Sequence, residues 1–214
     1  MREVSSFQDR VSWPELMTAS EPLTEAFFAR DTVVVARDLL GKVLIHKRRA
    51  GLIVEVEAYL GADDLAAHAS RGLTARTRVL FGPPGRAYVY LIYGMHECLN
   101  LVAEPDGKAG CVLLRALEPL CGIGEMKKAR SAARRAEGLA SGPGNLTRAM
   151  GITRRHYGAD VTRENSALGV RAWRKAPEVA TGTSPRVGIR QCVDWPLRYF
   201  VRGSRSVSGP RQWR

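Results

Sequence analysis

Between Tyr88 and Leu120 three apolar runs follow one another closely: YVYLIY, ECLNLVAE and GCVLLRALEPL. The first alternates so that Tyr88, Tyr90 and Ile92 share one face of a strand and Val89, Leu91 and Tyr93 the other. Gly94 interrupts it and the second run resumes almost at once. Two extended runs joined so tightly lie side by side as an antiparallel hairpin, with Tyr93 and Met95 near its tip. The third run is apolar as far as Leu117 except for Arg115, and reads as a strand buried on both faces. This block commits the chain to a sheet-built domain with a large ring at a hairpin tip.

The flanking sequence adds helices and further strands. PLTEAFFARDTVVVARDLLGK reads as two helices, capped by Thr24 and Asp31, the second ended by Gly41. KVLIHKRRAGLIVEVEAYLG reads as a hairpin: a strand from Lys42 to Lys47, a turn around Ala50 and Gly51, and an alternating strand from Leu52 to Tyr59. GADDLAAHASRGLTARTRVLFGPPG has little periodicity, and a segment this long inside a compact domain is commonly functional. MKKARSAARRAE, residues 126–137, reads as a basic helix, and SGPGNLTRAMGI as a Gly/Pro turn opening a short helix. Residues 153–184 read as polar loop, PRVGIR and PLRYFVRGS as closing strands. The expected fold class is mixed α/β (α+β). It comprises a loose arm over residues 1–21, one domain over 22–204 and a tail over 205–214.

The 214 residues suffice for one substantial core. Lys and Arg number 33 against 21 Asp and Glu, a net charge of +12. A chain this basic is expected to meet a polyanion, since neutralising phosphates releases condensed counterions; the plainer account of the charge is solubility. No apolar run approaches the roughly 18 residues of a membrane span, and the N-terminus carries no apolar leader, so a cytoplasmic protein with no membrane partner is expected. Cys98, Cys111, Cys121 and Cys192 lack C-x-x-C spacing and His46, His68, His96 and His156 are scattered, which fits reduced thiols and no metal.

Several polar residues cost too much to be mere packing. Alternation puts Glu55, Glu57 and Tyr59 on one face, and a carboxylate at a strand end suits a general base. Arg115, interrupting a buried strand, needs an anionic partner. With Glu57 it can hold a water, or the two can form a structural ion pair. Asn100, polar within CLNLV, is either a satisfied core amide or an amide aimed into a pocket. Tyr90, beside Tyr59, can stack on a planar base, whereas Tyr88 reads as core. His68 lies in a loop, where a solvated histidine is common. Tyr93 at the hairpin tip can wedge into a base stack, or fold back on the domain.

Taken together, VEVEAYLG, DDLAAHASRG, YVYLIYGMHECLN, CVLLRALEPL, SGPGNL, RVGI and PLRYFVRGS resemble the alkyladenine (3-methyladenine) DNA glycosylases of the vertebrate type, in family order from about residue 24 to 204. The resemblance implies one domain on a curved, largely antiparallel sheet flanked by helices, with a protruding β-hairpin. It implies a monofunctional glycosylase of base excision repair, without cofactor, that acts as a monomer on damaged double-stranded DNA. Its place would be the bacterial cytosol or nucleoid, or the nucleus of a eukaryote. Glu57 matches the family's general base and Arg115 the arginine beside the nucleophilic water. Tyr59, His68 and Tyr90 match the walls around the flipped base, with His68 grouped with Tyr59. Asn100 matches the residue that crowds guanine's amine, and Tyr93 the intercalating tyrosine, with Met95 beside it. Val187 falls near a main-chain carbonyl that contacts the water.

Phosphate contacts are expected from the basic helix at Lys127, Lys128 and Arg130, and from the turn at Ser141 and Gly142. His96, Glu97 and Asn145 depart from the vertebrate pattern, which has aromatic residues at the first two and a lysine at the third. Two other classes compete: a non-enzymatic nucleic-acid module, which leaves Glu57 with Arg115 unexplained, and an RNA-binding or formyl-transfer accessory domain.

Overall fold

The computed structural model describes residues 9–209. In chain order the elements are α1 (Trp13–Thr18), β1 (Ser20–Pro22), α2 (Glu25–Phe28), α3 (Thr32–Leu39), β2 (Val43–His46), β3 (Arg49–Tyr59), β4 (Ala87–Ile92), β5 (His96–Ala103), β6 (Gly110–Cys121), α4 (Ile123–Ala129), α5 (Pro143–Met150), β7 (Leu168–Trp173), β8 (Thr181–Ser184) and β9 (Arg198–Val201). The strands form one open sheet, β1-β7-β2-β3-β6-β5-β4, with β9 pairing the second half of β3 and β8 on the outside of β9. Each of these pairings is antiparallel. This is the mixed α/β architecture expected.

Helix α3 begins where its sequence says, whereas α4 begins at Ile123, three residues before the basic run. Asp31 accepts from the Val33 and Val34 amides, and Val35, Ala36 and Leu39, spaced three and four apart, face the core. Thr24 precedes α2 but its side chain makes no capping bond. The β4–β5 hairpin forms as read. Tyr93 (φ 53°) and Gly94 (φ 69°) are both left-handed, the signature of a type I′ turn, and the Met95 amide closes it on the Ile92 carbonyl at 3.2 Å.

Six local expectations differ from what the chain does. The loose arm over residues 1–21 lies outside the described residues only up to residue 8; beyond that Ser12 accepts from the Glu15 amide to start α1, which buries Leu16. The turn of the β2–β3 hairpin sits at Lys47 and Arg48, since His46 pairs Arg49. Gly51 instead lies within β3, where a Cβ would stand 2.9 Å from that of Leu117, so the glycine serves close strand approach. The basic helix stops at Ala129. Continuing it would stack Arg130 on Arg134 at i,i+4, and the chain instead turns to bury Ala133 and Ala136.

The polar stretch 153–184 contains β7 and β8. β7 runs through Arg171, whose guanidinium is satisfied internally by the Ser20 hydroxyl and carbonyl. PRVGIR is not a strand, because its groups turn inward to other partners and Gly188 is left-handed (φ 78°). At the other end, the expected tail buries Ser206, Val207 and Ser208 as far as the described residues run.

Candidate active site

Register across four strands aligns Glu57 with Leu113, Leu113 with Asn100, and Asn100 with Tyr88. Two residues along each strand, on the same face, lie Tyr59, Cys111, Cys98 and Tyr90. This face floors a cavity of about 620 Å³, closed laterally by the loop carrying Ala66 and His68, the start of α5 at Gly142–Asn145, and the Val187–Gln191 bend. Tyr93 stands at its mouth, 79% exposed, with Met95 (73% exposed) next to it.

Glu57 has no solvent exposure and does not itself line the cavity, but Arg115, Tyr59 and Val187, which hold it, do. Its Oε1 accepts from the Val187 amide at 2.7 Å and lies 3.2 Å from Arg115 Nη1; its Oε2 accepts from the Tyr59 hydroxyl at 3.0 Å. Burial pushes its pKa up, against the pull of Arg115, the Val187 N–H and the Tyr59 hydroxyl. Arg115 reaches it because the β3–β6 register slips between the Glu55–Ala116 and Val56–Leu114 pairs, leaving Arg115 unpaired in a bulge. The expected Glu57–Arg115 juxtaposition is thus present. Val187, expected to offer a carbonyl near the water, gives its amide to Glu57.

The aromatic walls differ in grouping from the sequence reading. His68 packs edge-on against Tyr90, ring centroids 4.6 Å apart, and its Nδ1 lies 2.9 Å from the Tyr88 hydroxyl. Burial, then Arg76 and Arg71, depress its pKa to about 4, so this wall is uncharged at neutral pH. Tyr59 is held separately. Arg186 lies 4.6 Å over its ring and is locked in a fully buried ion pair with Asp64 (Nη2 to Oδ1 2.8 Å). Asp64 also caps the Leu60 and Ala66 amides, which fixes the loop carrying His68. Tyr88 is buried, as expected of core, although its hydroxyl serves the wall. Asn100 donates to the Tyr88 carbonyl at 3.3 Å and accepts from the Cys111 thiol, so its amide is braced in place.

The expected phosphate contacts divide. Gly142 lines the cavity and Ser141 adjoins it, its carbonyl accepting from Asn145. Lys127 donates to the Ser131 and Ala133 carbonyls, and Arg130 to the Leu139 carbonyl, so both brace their own loop; Lys128 is exposed and pairs with Glu125. None of the three lines the cavity, whereas the exposed Arg71 and Arg190 do. Of the departures from the vertebrate pattern, His96 and Asn145 line the mouth and Glu97 pairs with Arg154. Sequence reasoning missed Asp64, Arg186 and the partners of Glu55. Asp64 and Arg186 lay inside motifs already singled out, DDLAAHASRG and RVGI, but only the fold brings them together.

Comparison with known proteins agrees with this geometry. The family model of methylpurine-DNA glycosylase (MPG) matches residues 26–205. Three similar relatives each carry the name "Putative 3-methyladenine DNA glycosylase". One from Koribacter versatilis is 50% identical over 89% of this chain and 94% of its own length. One from Methanoculleus marisnigri is 48% identical over 87% and 98%, and one from Burkholderia lata 48% identical over 88% and 91%. These relatives are bacterial and archaeal, so the similarity does not single out the vertebrate branch. With a model spanning most of the sequence and relatives matched nearly end to end, the chain belongs to the methylpurine-DNA glycosylase family.

Proposed function

We propose that this protein is a monofunctional DNA glycosylase that rotates damaged purines out of duplex DNA and hydrolyses their N-glycosidic bond. The substrates in this reading are 3-methyladenine, 7-methylguanine, ethenoadenine and hypoxanthine, handled with a vertebrate-type set of site residues. The observation that carries it is the buried Glu57 carboxylate, gripped by three residues that line an aromatic cavity: Arg115, Tyr59 and, through its amide, Val187.

A glycosidic bond is hidden within the stack, so the nucleotide must leave it first. Tyr93, at the exposed tip, fills the gap left behind. The base lies between Tyr59 on one side and Tyr90 with His68 on the other. An alkylated purine carries positive charge, which aromatic faces attract and a neutral His68 does not oppose. Glu57 takes a proton from water; the water oxygen bonds to the anomeric carbon, and the base departs with the glycosidic electron pair. Neutral bases such as hypoxanthine leave once protonated. Arg115 orients the carboxylate and the incoming water. No lysine is among the residues lining the cavity, so the step forms no Schiff base and leaves the strand intact. The protein acts as a monomer on double-stranded DNA, in the cytosol or nucleoid.

The test is incubation with duplexes bearing one ethenoadenine, hypoxanthine or 3-methyladenine. The expected product is a free base and an abasic site that breaks only on later alkaline treatment. Binding without base release from any of them would leave a non-enzymatic nucleic-acid module.

A further inference from the structure

Glu55 lies one step of the alternation from Glu57 and is equally buried, and neither carboxylate lines the cavity itself. The Glu55 carboxylate accepts four hydrogen bonds. Its Oε1 accepts from Arg115 Nε at 2.9 Å, Arg198 Nε at 2.7 Å and the Ser208 hydroxyl at 2.9 Å; its Oε2 accepts from the Ser208 amide at 2.6 Å. Ser208 also takes Arg115 Nη2 at 3.4 Å on its hydroxyl and Arg198 Nη2 at 3.2 Å on its carbonyl. A chain segment 153 residues from Glu55, at the far end of the described chain, is therefore built into the floor of the site.

The consequence falls on Arg115. Its guanidinium is divided between two carboxylates, the Nε edge on Glu55 and Nη1 on Glu57. A guanidinium engaged only by Glu57 could swing to pair with it edge to edge, because a planar fork matches a carboxylate bidentately. Such a closed pair would stabilise the anion and blunt its basicity. Glu55 occupies the edge that this pairing needs.

Resting on the reading of Glu57 as general base, we propose that Glu55, seated by Ser208, is a positioning residue. It holds Arg115 in single contact with Glu57, so that Glu57 stays basic enough to take a proton from water. Burial alone would push the Glu55 carboxyl up, but Arg115, Arg198 and the Ser208 amide together hold it below the usual range, so it stays charged. Glu57 also faces Tyr59, Arg186 and Cys98, whose placement does not depend on Ser208.

The test uses the full chain with Ser208→Ala and Glu55→Gln. Single-turnover release of ethenoadenine is followed against pH, ethenoadenine fluorescence reports flipping, and carbon-13 NMR of labelled glutamate follows the Glu57 carboxyl. In Glu55→Gln, Arg115 is released to Glu57 and a like charge is removed. The Glu57 titration and the acid limb of the rate should both move to lower pH, and the plateau rate should fall about tenfold. Ser208→Ala should shift them the same way by less, with flipping within about twofold of the parent. Ser208→Ala also covers the case in which Glu55→Gln does not fold.

A uniform loss of rate at every pH with an unmoved Glu57 titration would overturn the proposal, as would parent-like behaviour of both folded variants. The NMR titration stands without enzymatic activity. A parent that releases no base therefore defeats the glycosylase reading, while an unmoved titration defeats this inference.

Discussion

The amide of Val187 donates to Glu57 Oε1 at 2.7 Å, joining a bend near the C-terminal end of the sheet to a carboxylate on a central strand 130 residues earlier. The bond fixes which carboxylate oxygen is occupied by the fold. Together with Arg115 it claims Oε1, and Tyr59 claims Oε2 through a hydroxyl that burial, followed by the Glu57 charge, makes very hard to ionise.

In the proposed mechanism Glu57 acts only when deprotonated, and burial raises its pKa. Excision should therefore fall as pH drops through a value above the ordinary carboxylate range, while DNA binding persists. Glu57→Gln should abolish that limb and lower single-turnover excision on the order of 100-fold or more. Linkage works in the opposite direction on stability. The raised pKa favours the protonated form in the folded state, so the stability that form supplies is present below the unfolded pKa and lost as pH rises through the folded one. Excision within a few-fold of the parent would remove Glu57 from the reaction.

Tyr93 and Tyr88 should separate in behaviour. Tyr93→Ser should reduce the flipped population of an ethenoadenine duplex and leave the melting temperature nearly unchanged, since the ring is exposed. Tyr88→Ser should cost roughly 3–5 kcal/mol of stability, because it deletes a buried ring and orphans His68 Nδ1. A Tyr93→Ser protein that flips normally but melts early would reverse these assignments.

Asn100 is braced by the Tyr88 carbonyl and the Cys111 thiol; in the proposed pocket it would meet an extra amino group at purine position 2. Asn100→Ser should gain measurable release of normal guanine while keeping hypoxanthine release. A folded variant active on hypoxanthine with no gain on guanine would make the asparagine purely structural.

The cavity rim, more than α4, should carry the salt dependence. Reversing the charge of Arg71 and Arg190 should flatten the log–log slope of duplex binding against salt by about one to two units. Reversing Lys128 should change it little. The converse result would move the phosphate track onto α4.

Asp64→Asn leaves the Arg186 guanidinium charged, buried and unpaired, and should cost roughly 3–5 kcal/mol in urea unfolding. A loss under about 1 kcal/mol would mean that Tyr59 and the neighbouring carbonyls suffice to hold Arg186.

What the sequence determined alone was which side chains share a face. Strand alternation has a period of two and needs no distant information, so Glu57 with Tyr59, Tyr88 with Tyr90, the tip position of Tyr93 and the anomaly of Arg115 were all legible. The tertiary structure decided which faces meet. The bulge that aims Arg115 depends on how β3 and β6 slip past each other. His68 joins Tyr90 and not Tyr59 because Asp64 caps the loop between them. Lys127 and Arg130 look like phosphate ligands in a string of cations, but carbonyls of the following loop claim them once the helix ends early. Ser208 carried no local signal at all. Its place beside Glu55 follows from the pairing of β9 with β3, and neither composition nor periodicity records a contact at that separation.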